Sequence, residues 1–173
     1  LMMLAHEMPR SPDGVRHSRM VITRNTYGEL RDTTMRTMYE WLPPNRWGVT
    51  NVENHSYRVN GFEGVNIEFL FRALDRPDHV QKLLSMEASH GWINEARETP
   101  KAIIGPLRGR LGRYPKRADI GELNYQLLMD TNPCDASEDA WFYQMFEVDK
   151  PQGAELFKQP SGRGPNAENL HNL

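Results

Sequence analysis

Short apolar runs rich in strand-forming residues, separated by stretches of helical period, constrain this chain more than any other feature. Met20 to Thr23 ("MVIT"), Val65 to Phe71, Ala88 to Ile93, Gln126 to Met129 and Ala154 to Gln159 read as strands. Between them, Thr26 to Glu29 has the T-x-x-E form of a capping box. Leu30, Thr34, Met38 and Trp41 follow at helical spacing until Pro43-Pro44 stops them. Pro77 opens a helix through Leu84, Thr99-Pro100 opens another that Gly105-Pro106 should shorten, and a third spans Glu138 to Phe146. Residues 45–64 alternate weakly and suit a hairpin. Strands alternating with helices predict an α/β fold, a mostly parallel sheet flanked by helices on both faces.

In such sheets ligands bind beyond the carboxyl ends of the strands. Three runs end there on polar side chains: Arg24, Asn94-Glu95, and Asp130-Thr131-Asn132. If the strands are neighbours, one rim gathers a cation, two carboxylates, two amides and a hydroxyl. That set suits a nucleotide, a metal ion and a water better than an apolar ligand. The bland alternative is that strand ends are polar because they meet solvent.

The remaining sequence narrows the class. A chain of 173 residues suits one domain, and its net charge of -2 gives no global pull toward nucleic acid. Any such contact must come from a local patch. Lys101, Arg108, Arg110, Arg113, Lys116 and Arg117 form one, with no acid among them. Its arginines are spaced by Gly109 and Gly112, which suits a flexible DNA-gripping loop. Arginines reaching a neighbouring subunit's nucleotide, or a solvated helix face, are the competing readings. The single cysteine, Cys134, excludes an internal disulfide, and the histidines show no ligand spacing. Trp41, Trp47, Trp92 and Trp141 read most simply as core. No run reaches the roughly 18–20 apolar residues of a membrane span. "LMMLAHEM" starts as though a helix were entered midway, and 161–173 reads as a linker toward a further domain, leaving 1–160 as one partial domain.

The residues also carry a resemblance. "RNTYGELRDTT", "FLFRALDRPDHVQKLLSMEASHGWINEARE", "GRLGRYP", "MDTNP" and "QPSGRGPNAENL", in that order, resemble the ATPase region of the large terminase subunit of tailed bacteriophages. That family's motor packages DNA into proheads. The resemblance implies a P-loop NTPase-like fold of the additional-strand, catalytic-glutamate type, here incomplete. It makes "WINE" the Walker B strand, with Glu95 polarising the attacking water and Asn94, where Asp is usual, holding Mg2+ through water. It makes Asp130, Thr131 and Asn132 the coupling motif and places Arg24 and Arg31 near the nucleotide. A cation acting in trans would come from Arg72, Arg76 or Lys82, and phosphate or DNA contacts from Arg108, Arg110 and Arg113.

ATP and Mg2+ would serve the complete protein, with neither held tightly by these residues alone. The implied partners are double-stranded DNA, the portal protein, the small terminase subunit and further copies in a ring, in the cytoplasm of the bacterial host. One departure is plain: no G-x-x-x-x-G-K-[ST] occurs in these residues. Two other readings therefore stand beside the motor: a non-catalytic remnant that binds DNA or partner subunits only, and an unrelated metal-dependent hydrolase using Glu95 and Asp130.

Overall fold

Arg16–Arg24 (β1) lies near the middle of a six-stranded sheet of order β2-β3-β4-β1-β5-β6 in a computed structural model of the chain. Residues 1–74, 79, 83, 85–132 and 141–159 are described. The other strands are Gly48–Asn51 (β2), Ser56–Phe62 (β3), Val65–Ala73 (β4), His90–Ile93 (β5) and Leu127–Met129 (β6). β4, β1, β5 and β6 are mutually parallel, and the β2–β3 hairpin joins β4 antiparallel at one edge. The expected mostly parallel α/β sheet is therefore present, mixed at one side.

β1 begins four residues before its apolar run. Arg16 to Arg19 pair with Val65 to Glu68 along the ladder, so backbone bonds extend the strand where hydrophobicity does not. Glu68 helps to fix this register. It accepts from Arg19 at 2.6 Å and from Arg58 of β3 at 2.8 Å, stapling three strands. Burial alone would raise its pKa, but the two guanidinium contacts win and hold it below the ordinary carboxylate value.

Period-2 alternation divides the sheet into two faces. Met20, Ile22, Tyr57, Val59, Ile67, Phe69 and Phe71 form one core with Leu4 and Ala5 of the helix Met2–Glu7 (α1). Leu30 and Met35 belong to the same core. They come from a continuous helix (α2) made of Tyr27–Glu29, Leu30–Met35 and Arg36–Trp41. Its capping box forms as expected: Glu29 N–H donates to the Thr26 hydroxyl, and Thr26 N–H donates to the Glu29 carboxylate. The middle segment is a π-helix, a local widening frequently found at functional sites. After β5, Lys101–Ile103 lead into the helix Ile104–Arg108 (α3), which buries Ile103, Ile104 and Leu107. The regular helix is only five residues long and follows a separate 3-10 turn, short as Gly105-Pro106 led one to expect.

Several expectations are corrected. Ala154 to Gln159 form no strand; Phe157 is 85% exposed, and two large apolar residues in a polar stretch bury too little to hold one. Trp41 is 81% exposed rather than core. Trp47 and Trp92 pack at the core's margin. The helix from Pro77 to Leu84 lies largely outside the described residues, as do Cys134 and the expected linker.

The chain divides into two compact units, Leu1–Pro133 and Cys134–Leu173. The second contains the helical turns Trp141–Tyr143 and Gln144–Asp149, with Lys158 paired to Glu147 at 2.5 Å. No helix among the described residues is long and apolar enough to cross a membrane.

Candidate functional site

Parallel pairing brings the carboxyl ends of β1, β5 and β6 together. Asn94 N–H donates to Thr23 C=O at 2.9 Å, Asp130 N–H to Ile93 C=O at 3.2 Å, and Ala96 N–H to Asp130 C=O at 2.9 Å. Arg24, Asn94 and Asp130 thus stand side by side on one rim, and Glu95 lies beside them. The polar strand ends seen in the sequence are one cluster.

Glu95 has the most unusual environment. Its backbone is left-handed, at φ 53° and ψ 56°, a conformation disfavoured for residues with a side chain. One carboxylate oxygen accepts from Asn132 Nδ2 at 3.1 Å. The other is buried without a hydrogen-bond partner among the described residues. Thr131 Oγ1 and Arg24 Nε are buried in the same way. Unpartnered polar atoms are costly to bury, and three gathered at one rim are unlike ordinary solvent-facing strand ends. Strained backbone beside them is the combination found at functional sites.

A second group of contacts runs across the strand ends. Arg24 Nη1 donates to Asn94 Oδ1 at 3.0 Å and to Thr33 Oγ1 at 2.7 Å. Thr34 Oγ1 also donates to Asn94 Oδ1, at 2.7 Å. Asn94 Nδ2 donates to Asp130 Oδ2 at 2.8 Å, and Trp92 Nε1 donates to Asp130 Oδ1. The widened turn of α2 presents two successive threonines to the rim. A cavity of about 600 Å³ opens alongside, with Arg24, Thr33, Thr34 and Asn94 on its polar side and Trp92 and Leu128 on its apolar side.

Thr33, Thr34 and Trp92 escaped the sequence reading. The signal for Trp92 was available: it shares a strand face with Asn94, and a partly buried indole N–H needs an acceptor. Nothing local marked the threonines, because their approach depends on the π-turn.

Other candidates are placed elsewhere. Arg31 is exposed and donates to neighbouring Asp32 at 2.7 Å. Arg72 donates to the backbone carbonyls of Asn54 at 3.0 Å and His55 at 3.4 Å, so it clamps the turn between β2 and β3. Arg76 and Lys82 lie outside the described residues.

The arginine segment is not a loose loop. Leu107 and Leu111 anchor it in the core. Ala88 N–H donates to Arg110 C=O at 3.0 Å, Gly112 N–H to Ser89 C=O at 3.1 Å, and Arg113 N–H to Ala88 C=O at 3.0 Å. Residues 88 and 89 precede β5, whereas Asn94 and Glu95 follow it. At strand rise, the docked arginines are about 20 Å from Glu95, at the opposite end of the strand. Arg108 and Arg113 remain exposed there, and Arg110 is half-exposed.

No family model matches the sequence, and no curated protein matches it. Solved structures do share its fold. The large terminase of a thermophilic bacteriophage superimposes with a TM-score of 0.56 at 12% identity, over 70% of this chain and 28% of that one. The same protein in complex with ADP gives 0.52 at 15% identity, over 70% and 27%. This chain spans little more than a quarter of those terminases' length. At such identities the likeness is one of fold alone: a six-stranded, mostly parallel sheet with flanking helices, similar to that of a phage large terminase.

Proposed function

We propose that this chain is the ATPase portion of a phage large terminase, acting in the motor that drives double-stranded DNA into proheads. One observation carries the reading. Glu95 follows the parallel strand β5 in a strained turn, with one oxygen held by Asn132 and the other buried and unpartnered among the described residues. A rigid carboxylate with a free acceptor is what polarising a water for attack on a phosphoryl group requires.

Asn132 then positions Glu95. Asp130 and Thr131, adjoining both β5 and the site, couple its state to movement. Arg108 and Arg113 contact DNA phosphates from the opposite rim, and Arg76 or Lys82 serves a neighbouring subunit. Copies assemble in a ring on the portal with the small subunit, in the host cytoplasm. These roles extend the fold likeness and rest on the terminase resemblance.

A second reading has one observation in its favour. The Asn94 amide oxygen already accepts from Arg24 and Thr34, which suits a chain that keeps the fold and binds DNA or partner subunits without hydrolysis. Glu95→Gln separates the two. In a large terminase carrying these residues after a phosphate-binding loop, the substitution should leave nucleotide binding intact and cut hydrolysis by about 100-fold or more. Unchanged turnover removes the role from Glu95. A parent protein that binds DNA but never hydrolyses ATP establishes the second reading.

A further inference from the structure

Asn94 stands between two charges and contacts both. Its Oδ1 accepts from the Arg24 guanidinium at 3.0 Å and the Thr34 hydroxyl at 2.7 Å, while its Nδ2 donates to Asp130 at 2.8 Å. Among side chains of this size only an amide can do both, because an ionised carboxylate has no proton to donate. An aspartate here would face the Asp130 carboxylate across the same short gap, and two carboxylates that close cannot both ionise cheaply. The amide instead links one positive and one negative group into a neutral unit.

The same geometry leaves Asn94 unfit to serve a divalent metal at this end of the strand. Mg2+ needs oxygen ligands with free lone pairs, usually with carboxylate charge among them. Both acceptor directions of Asn94 Oδ1 are taken, and one of its donors is itself a cation. No group of three His, Cys, Asp or Glu able to hold a metal occurs among the described residues. Arg24 retains a buried Nε without a partner among those residues, so the fixed positive charge at this rim has donor capacity left.

We infer that Asn94 is a positioning residue that bridges Arg24 and Asp130, and that the resident cation of this rim is the Arg24 guanidinium rather than a divalent metal ion. An anionic group, such as a phosphate, would meet an arginine there. This deepens the functional reading above at one point, the identity of the cation. Its test uses no nucleotide, so failure of one leaves the other standing.

The test is thermal unfolding of the chain, of N94D and of the swap N94D/D130N, each with and without MgCl2. In the swap, the new carboxylate at position 94 would accept from Arg24 and Thr34, while the new amide at position 130 would donate to it and accept from Trp92. The parent Tm should not respond to Mg2+. N94D should lose roughly 5 °C or more at pH 7. It should regain part of that when Mg2+ is added, or when pH falls far enough for one acid of the pair to hold a proton and donate it. The swap should return to the parent Tm and lose the Mg2+ response.

A parent that Mg2+ stabilises as much as N94D overturns the inference. So does an N94D protein as stable as the parent, or a swap no better than the single variant. If N94D does not fold, the swap decides: a folded swap supports the bridge, and an unfolded one refutes it.

Discussion

The two ends of β5 follow opposite rules. At its start the buried polar side chains of Ser89 and His90 are paired. Buried Ser89 accepts from Arg19 N–H at 2.9 Å and donates to Tyr114 C=O at 2.7 Å. Buried His90 accepts from Gln126 N–H at 3.1 Å. Four residues after His90 the chain enters the rim where Glu95 is left-handed and three buried polar atoms lack partners among the described residues. One end is built to hold the sheet together. The other keeps strain and unused hydrogen-bonding capacity, which a stability requirement alone would remove.

Substitutions along the strand break or sharpen this contrast. Ile93 is fully buried between the two ends, and Ile93→Ala should cost about 2–5 kcal/mol in denaturant unfolding, enough to disturb both. Ser89→Ala leaves a buried N–H and a C=O unpaired, so about 1–3 kcal/mol should be lost at the paired end. A Ser89→Ala protein of unchanged stability would mean that this end is not what pins the strand.

The paired end should also titrate. Burial lowers the His90 pKa from 6.5 to about 4, so the folded state favours the neutral ring. The unfolded chain takes up the proton first as pH falls. This stability is present above about pH 6.5 and lost as pH drops toward 4. His90→Gln, whose amide can still accept from Gln126, should flatten that slope in unfolding curves recorded across the window. An unaltered slope assigns the effect to other groups.

The smallest effect is expected at the strained end. Glu95→Gly removes a left-handed side chain and a buried carboxylate, and glycine's greater unfolded freedom offsets part of the gain. Stability should stay level or rise by up to about 1 kcal/mol. A loss comparable to Ser89→Ala would make Glu95 a structural residue and erase the contrast.

What the sequence determined was the alternation of buried strands with helices, the capping box at Thr26, and the polar residues closing three strands. These are local properties: backbone period, side-chain polarity and chain stiffness act over a few residues, so they can be read without coordinates. The hairpin after Pro44 was legible for the same reason. Tertiary structure decided the rest. Only strand order could place Asn94 between Arg24 and Asp130, because those contacts join residues 36 to 70 positions apart. Only the π-turn of α2 could bring Thr33 and Thr34 to that rim. Only docking on Ala88 and Ser89 could turn a glycine-spaced arginine run into a fixed segment at the far end of the strand. Hydrogen bonds and charges act through space over a few ångströms, and the distances they depend on are set by how the sheet is assembled.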